Sequence, residues 1–113
     1  MKRFILILVS FIGGCLAGAG QNAYEPMTFT AEDGTSLNYR LLRPQENAKG
    51  RRFPLVIFLH GLGERGTENE KQLLHGGQIF LNPATQERYP AYVLFPQCPE
   101  TAFWAYRHIP ASY

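Results

Sequence analysis

The groups best suited to chemistry in this 113-residue chain fall together in His60-Gly61-Leu62-Gly63-Glu64-Arg65-Gly66. Three glycines, Gly61, Gly63 and Gly66, let the backbone turn sharply and come close to a ligand. N–H groups in such a loop lack strand partners and point outward. Held rigidly, they stabilise a developing oxyanion far better than water does, and loss of one such donor typically costs about 10²–10³ in rate. Glu64 and Arg65 read either as solvated loop charges or as groups that pair to hold the loop in shape. The histidines, His60, His75 and His108, are scattered without metal-ligand spacing, so neither a metal nor a cofactor is expected.

The elements that would position this loop can be read on either side of it. Met27–Thr30 and Leu37–Leu41 alternate apolar and polar residues around Asp33-Gly34, the pattern of an antiparallel hairpin with one buried face. Asn22–Pro26 before it reads as a polar lead-in. Phe53–Leu59 and Ala91–Phe95 are continuous apolar runs, as expected of parallel strands buried on both faces. Between them, Thr67-Glu68-Asn69-Glu70 has the form of a capping box and predicts a helix through His75, stopped by Gly76-Gly77. His75 then falls in its last turn, a surface position compatible with the helix dipole. Asn82-Pro83 and Tyr89-Pro90 punctuate the return to the sheet. Strand, helix and strand make a βαβ unit, with the glycine loop at the carboxyl edge where open α/β sheets bind ligands. Gln97 and Trp104 follow the second run on that same edge and are substrate-cleft candidates with Glu64 and Arg65. Trp104 reads equally as a pocket wall or as a core residue.

A strand running into His-Gly-x-Gly resembles the oxyanion loop of α/β-hydrolases. The longer pattern is His60 to Thr67, Asn69-Glu70, Gln72-Leu73, Tyr89-Pro90, Phe95-Pro96-Gln97-Cys98-Pro99 and Trp104. It resembles secreted bacterial hydrolases of the predicted-peptidase, phospholipase and carboxylesterase kind, relatives of prolyl-oligopeptidase-family and polyhydroxybutyrate-depolymerase-like esterases. The resemblance implies an α/β fold, here an incomplete α/β-hydrolase fold with an N-terminal β-hairpin and a βαβ unit of a mostly parallel sheet. It implies a serine hydrolase acting by acyl transfer to water through a Ser-His-Asp triad, on a small-molecule ester, lipid or peptide substrate. Leu62 would lend its backbone N–H to the oxyanion hole within the Gly61–Gly63 loop. His60 would brace the loop and stay outside the triad, because in this fold the catalytic histidine follows the serine and the acid. No Gly-x-Ser-x-Gly occurs, and Ser10, Ser36 and Ser112 all lack its flanking glycines. The chain is therefore expected to stop short of the nucleophile elbow and to be inactive alone. It should leave the residues after Phe95 loosely packed and a sheet edge exposed. The alternative is a small exported binding protein or lipoprotein without catalysis.

The beginning of the chain suggests export. Met1-Lys2-Arg3 is a basic start, Phe4–Ile12 is largely apolar, and small residues run on to Gly20, as in a secretory signal peptide. The apolar run is shorter than the roughly 20 residues that span a bilayer. Ala17-Gly18-Ala19 fits cleavage after residue 19, leaving 20–113 as the hydrolase portion. Ile12-Gly13-Gly14-Cys15 also resembles a lipobox, with Cys15 as the lipidated residue of a membrane-anchored lipoprotein; otherwise Cys15 is a small residue of the leader. The expected location is secreted or periplasmic, with membrane contact only through the signal or a lipid anchor. Lys2 and Arg3 account for the whole formal net charge of +2, and no basic stripe remains as a footprint for nucleic acid.

Overall fold

The computed structural model describes residues 23–45 and 50–105. Cys15, His108, Ser112 and the leader lie outside them. Four strands, β1 (Glu25–Thr30), β2 (Ser36–Leu42), β3 (Leu55–Ile57) and β4 (Tyr92–Pro96), form one sheet in the order β1-β2-β4-β3. Two short helices, α1 (Gly77–Leu81) and α2 (Pro83–Arg88), lie between β3 and β4 in sequence.

The hairpin forms where its turn chemistry places it. Gly34 takes φ +83°, a left-handed conformation that suits a residue without Cβ, and the Thr35 N–H donates to Asp33 Oδ1 at 2.9 Å. β1 and β2 pair antiparallel from Glu25↔Leu41 to Thr30↔Ser36. The hairpin then joins the rest of the sheet through an antiparallel β2–β4 pairing, while β3 and β4 run parallel with Val56 opposite Val93. The sheet is therefore mixed, and the mostly parallel sheet expected from the sequence is confined to one pairing.

One face of the sheet carries the core. Phe95 is fully buried, stacks on Phe58 with centroids 4.8 Å apart, and meets Tyr24 and Phe80 edge-on at 5.3 and 5.9 Å. Leu42, Leu73 and Val93 complete the buried cluster, and Phe80 and Leu81 of α1 pack against it. Tyr24 was expected in a polar lead-in; it lies instead in the core, its hydroxyl donating to the Gly77 carbonyl at 2.6 Å. Burial pushes that hydroxyl up to about 12 from its usual 10.0.

The opposite face is open. Leu55 and Ile57, side by side on β3, are each 57% exposed, so the Phe53–Leu59 run is not a strand buried on both faces. Its continuous apolar pattern comes from Val56 and Phe58 packing on the core while their neighbours face outward. The exposed β3 edge agrees with expectation. The loose packing expected after Phe95 does not, since Pro96, Gln97 and Cys98 are all buried.

The crossover also departs from the sequence reading. No helix spans Thr67–His75; the segment holds only a 3₁₀ turn at Lys71–Leu73. Asn69 breaks it with φ +62°, a left-handed conformation that asparagine tolerates better than most residues. His75 accordingly lies outside any helix. Gly76-Gly77 opens α1 and does not close a helix, and glycine suits position 76 because a Cβ there would lie 2.6 Å from Phe58 Cζ. Asn82-Pro83 likewise starts α2: Asn82 Oδ1 accepts the Ala84 N–H at 2.9 Å and Pro83 takes the first helical position.

Candidate functional site

Parallel pairing brings the carboxyl ends of β3 and β4 side by side, so the loops that leave them are neighbours. The Phe58 N–H donates to the Leu94 carbonyl at 2.9 Å, and beyond it the chain turns into the glycine loop. Leu62–Glu64 forms a 3₁₀ turn behind an extended Gly61. Among the described residues no acceptor takes the Leu62 N–H, and Leu62 is 63% exposed.

His60 is buried at the base of this loop. Its Nε2 accepts the Cys98 backbone N–H at 2.9 Å, and its Nδ1 lies 2.6 Å from the Gly61 carbonyl. An N–H and a carbonyl can both be satisfied only by the neutral ring with its proton on Nδ1. Both nitrogens are thereby committed to backbone, one on each side of the site. The Trp104 indole N–H donates to the His60 carbonyl at 2.9 Å, and the two rings meet edge to face at 5.0 Å.

Arg65 fastens the same two loops from outside. Its Nη1 donates to the Glu100 and Ala102 carbonyls at 2.9 and 3.1 Å, its Nε to Leu62 at 3.2 Å, and its guanidinium lies 4.9 Å over the Phe103 ring. The Gly66 N–H donates to the Cys98 carbonyl at 2.9 Å. Burial pushes the Cys98 thiol up, a tendency that nearby Arg65 partly opposes.

Gln97 is the hub beneath the loop. Its Oε1 accepts the Asn69 N–H at 2.7 Å, and its Nε2 donates to the Glu64 carbonyl at 3.1 Å and to Glu68 Oε1 at 2.7 Å. Desolvation works to raise the Glu68 carboxyl, but the bonds from Gln97 and from backbone N–H groups outweigh it and hold it below the usual range. Asn69 carries the network onward: Nδ2 donates to the Tyr39 carbonyl at 3.2 Å, Oδ1 accepts from Gln72 at 2.5 Å, and its own carbonyl accepts Arg40 Nε at 2.6 Å. Glu64 pairs with His75 at 3.1 Å, tying the turn to the segment before α1.

Gly61, Leu62 and Gly63 thus form the loop, and His60, Glu64, Arg65, Gln97 and Trp104 are all brought together around it. Trp104 sits at its rim, 40% exposed, while Gln97 is enclosed and its amide is used entirely within the protein. Arg40 and Asn38 were not singled out from the sequence, and Asn69 and Gln72 appeared there only within longer motifs, without a role of their own. Asn38 Nδ2 donates to the Thr67 carbonyl at 2.8 Å and belongs to the same network. Its position in a polar-facing alternation gave no hint of a partner far along the chain.

Two hollows lie on the described residues. A cleft of about 120 Å³ lies against the glycine loop, walled by Leu62, Cys98, Phe103 and Trp104. A larger groove of about 540 Å³, lined by Arg51, Phe53, Val56, Phe80 and Tyr89, sits at the other end of the strands, away from the loop.

The chain is similar to a solved thermostable esterase. The similarity covers 76% of this chain with a TM-score of 0.69 and 37% sequence identity. The chain spans 24% of that esterase's length. No family model matches the chain, and no curated relative does. The small mixed sheet with its few helices is therefore similar to part of an esterase fold, the class of scaffold that the glycine-loop motif suggested.

Proposed function

We propose that these residues form the leading part of a serine hydrolase domain that cleaves carboxylic esters by acyl transfer to water. The observation that carries the reading is the Leu62 N–H, without an acceptor among the described residues on a loop fixed by buried hydrogen bonds, in a chain 37% identical over its matched length to an esterase. A rigid, unpartnered N–H suits a tetrahedral oxyanion because no reorganisation is needed when the charge develops. Leu62 would supply one donor of the oxyanion hole, with Gly61 and Gly63 shaping the turn. The nucleophilic serine, its acid and its catalytic histidine would come from further along a longer polypeptide, in that order. His60, with both nitrogens committed to backbone, supports the loop and takes no proton from a nucleophile. Export through the leader, with cleavage after residue 19 or lipidation at Cys15, belongs to the same proposal.

Reading the DNA downstream of the Tyr113 codon in all three frames tests this directly. A Gly-x-Ser-x-Gly followed by an aspartate and a histidine is expected, and the extended product should be labelled by a fluorophosphonate and turn over p-nitrophenyl esters. An intact stop codon with no such continuation would favour a small exported binding protein, and the hydrolase reading would fall.

A further inference from the structure

Gly66, the last glycine of the motif, is buried, and a Cβ built there would overlap Glu68 Oε2 and lie 3.1 Å from Gln97 Nε2. The space beside this glycine is therefore taken by the Glu68 carboxylate. Its Oε1 accepts from Gln97 Nε2 at 2.7 Å and from the Lys71 N–H at 3.2 Å. Gln97 gives the same Nε2 to the Glu64 carbonyl at 3.1 Å, and Glu64 closes the turn that carries Leu62. A primary amide has two ends of nearly equal shape, so it fixes a loop only when its partners tell those ends apart. An ionised carboxylate accepts and cannot donate, which turns Nε2 towards the loop and leaves Oε1 for the Asn69 N–H at 2.7 Å. Bonds to an ionised acceptor are also roughly twice as strong as neutral ones.

We propose that Glu68 is a positioning residue for the glycine loop: its carboxylate, with Gly66 leaving it room, orients the Gln97 amide, which holds the Glu64 carbonyl and with it the turn behind the Leu62 N–H. The proposal rests on the hydrolase reading only for what the loop does; the linkage is read from the hydrogen bonds alone. It also carries a pH dependence. Desolvation pushes the Glu68 carboxyl up, but the bonds from Gln97 and from the Glu68 and Lys71 N–H groups bring it below the ordinary 4.5. The extra hold on the loop is therefore complete above 4.5 and is lost as the pH falls below it. Lys71 is the cation that acts on Glu68, and it stays charged throughout. Arg65 is spent on the Leu62, Glu100 and Ala102 carbonyls and Arg40 on those of Asn69 and Tyr24, while Glu64 is engaged with His75.

The test is nuclear magnetic resonance of the ¹⁵N-labelled full chain, taken from neutral pH down through the carboxylate range in a His75→Ala background that removes the Glu64 contact. The Gln97 side-chain amide resonances should titrate. Amide exchange at Glu64 and Gly66, corrected for its intrinsic rate, should quicken about threefold on acidification. The Gln86 N–H, which donates to the Asn82 carbonyl in α2 outside this network, serves as the reference and should not follow. Glu68→Gln keeps an accepting oxygen without the charge, so it should show the parent's acid rates at every pH and no titration of Gln97. Glu68→Ala should quicken Glu64 and Gly66 about tenfold at neutral pH. In a Gln97→Leu background the same Glu68→Ala should add less than about twofold, because the route through the amide is already cut. A Gln97 amide that does not titrate overturns the proposal, as does a Glu68→Ala protein whose loop exchanges like the parent's. Full additivity of Glu68→Ala with Gln97→Leu overturns it too, and so does a Gln86 that quickens in step with the loop, since Glu68 would then support the whole fold. All of this is read without catalysis: a loop held in this way with no nucleophile downstream would keep the role of Glu68 and remove the hydrolase. A nucleophile downstream with no titration would do the reverse.

Discussion

Gly76→Ala should be costly, although it places a better helix former at the start of a helix. Gly76 has φ −133° and ψ −19°, so alanine meets no left-handed backbone there. The penalty is steric. A Cβ would lie 2.6, 2.8 and 2.9 Å from three ring carbons of Phe58, where ordinary contact begins near 3.4 Å. The ring has little room to retreat, because it stacks on Phe95 at 4.8 Å and meets Phe80 at 6.4 Å. Phe95 is itself fully buried. Overpacking of a closed core costs about 1–3 kcal/mol, and the three-atom overlap argues for the upper half of that range. Urea denaturation followed by Trp104 fluorescence should show the midpoint falling by roughly 1 M, with the slope unchanged. Phe58→Leu removes the ring atoms that clash. In that background Gly76→Ala should cost less than about 0.5 kcal/mol, giving a coupling of roughly 2 kcal/mol. Gly63→Ala, where an added Cβ meets nothing within 4 Å, serves as the control and should stay within about 0.5 kcal/mol of the parent. A neutral Gly76→Ala, or a penalty unchanged by Phe58→Leu, would refute the close-approach explanation.

Other expectations follow from individual contacts. With the Tyr24 hydroxyl raised from 10.0 to about 12, the folded state keeps a proton that the unfolded state releases, so roughly 3 kcal/mol of stability present below pH 10 is lost as pH rises towards 12. Urea midpoints across that window should drop steeply for the parent and much less for Tyr24→Phe, which at neutral pH gives up only the bond to Gly77, about 1 kcal/mol. Gln97→Leu strands the Asn69 N–H and the Glu64 carbonyl, and should lower stability by about 2–3 kcal/mol while raising hydrogen exchange at Leu62 and Gly63. Gln97→Glu sets a second carboxylate against Glu68, so its stability should fall as pH rises through the range where both ionise, a trend the parent should lack. Asn82→Ala removes the α2 cap and should cost about 1 kcal/mol by the same denaturation assay.

What the sequence reveals here is whatever local rules decide. The Asp33-Gly34 turn, the alternation of the hairpin and the apolar runs of β3 and β4 each follow from short-range chemistry, and each is where the pattern places it. The crossover was misread because its local signals are overruled from a distance. Thr67-Glu68-Asn69-Glu70 looks like a helix start, but Gln97 claims the Asn69 N–H and Asn38 claims the Thr67 carbonyl, and neither partner is near in sequence. Gly76-Gly77 looks like a helix stop, yet its glycine is required by the Phe58 ring just beyond β3. Tyr24 was hidden for a similar reason: a lone aromatic among polar neighbours shows no periodicity, and only the sheet face above it reveals its place. At the site, the motif identified the residues and left their partners invisible, since each partner lies across the β3–β4 boundary.

That boundary explains why the loop is held largely through backbone groups, with the partly exposed Arg65 guanidinium adding its bonds to the Leu62, Glu100 and Ala102 carbonyls. Because β3 and β4 are parallel neighbours, the chain leaves both at the same edge, and the ties between the two exits bridge residues far apart in sequence. His60 to the Cys98 N–H, Gly66 to the Cys98 carbonyl, Gln97 to the Glu64 carbonyl and Trp104 to the His60 carbonyl are four such ties, all hydrogen bonds to backbone. Backbone bonds of this kind are little screened by salt and, where buried, are expensive to break. The contact of Glu64 with an exposed His75 is of the weaker sort. High salt or His75→Ala should therefore leave hydrogen exchange at Leu62 nearly unchanged, whereas Gln97→Leu accelerates it. If His75→Ala loosened Leu62 as much as Gln97→Leu does, the loop would be held by its charges, and the preorganisation ascribed to the buried amide would be misplaced.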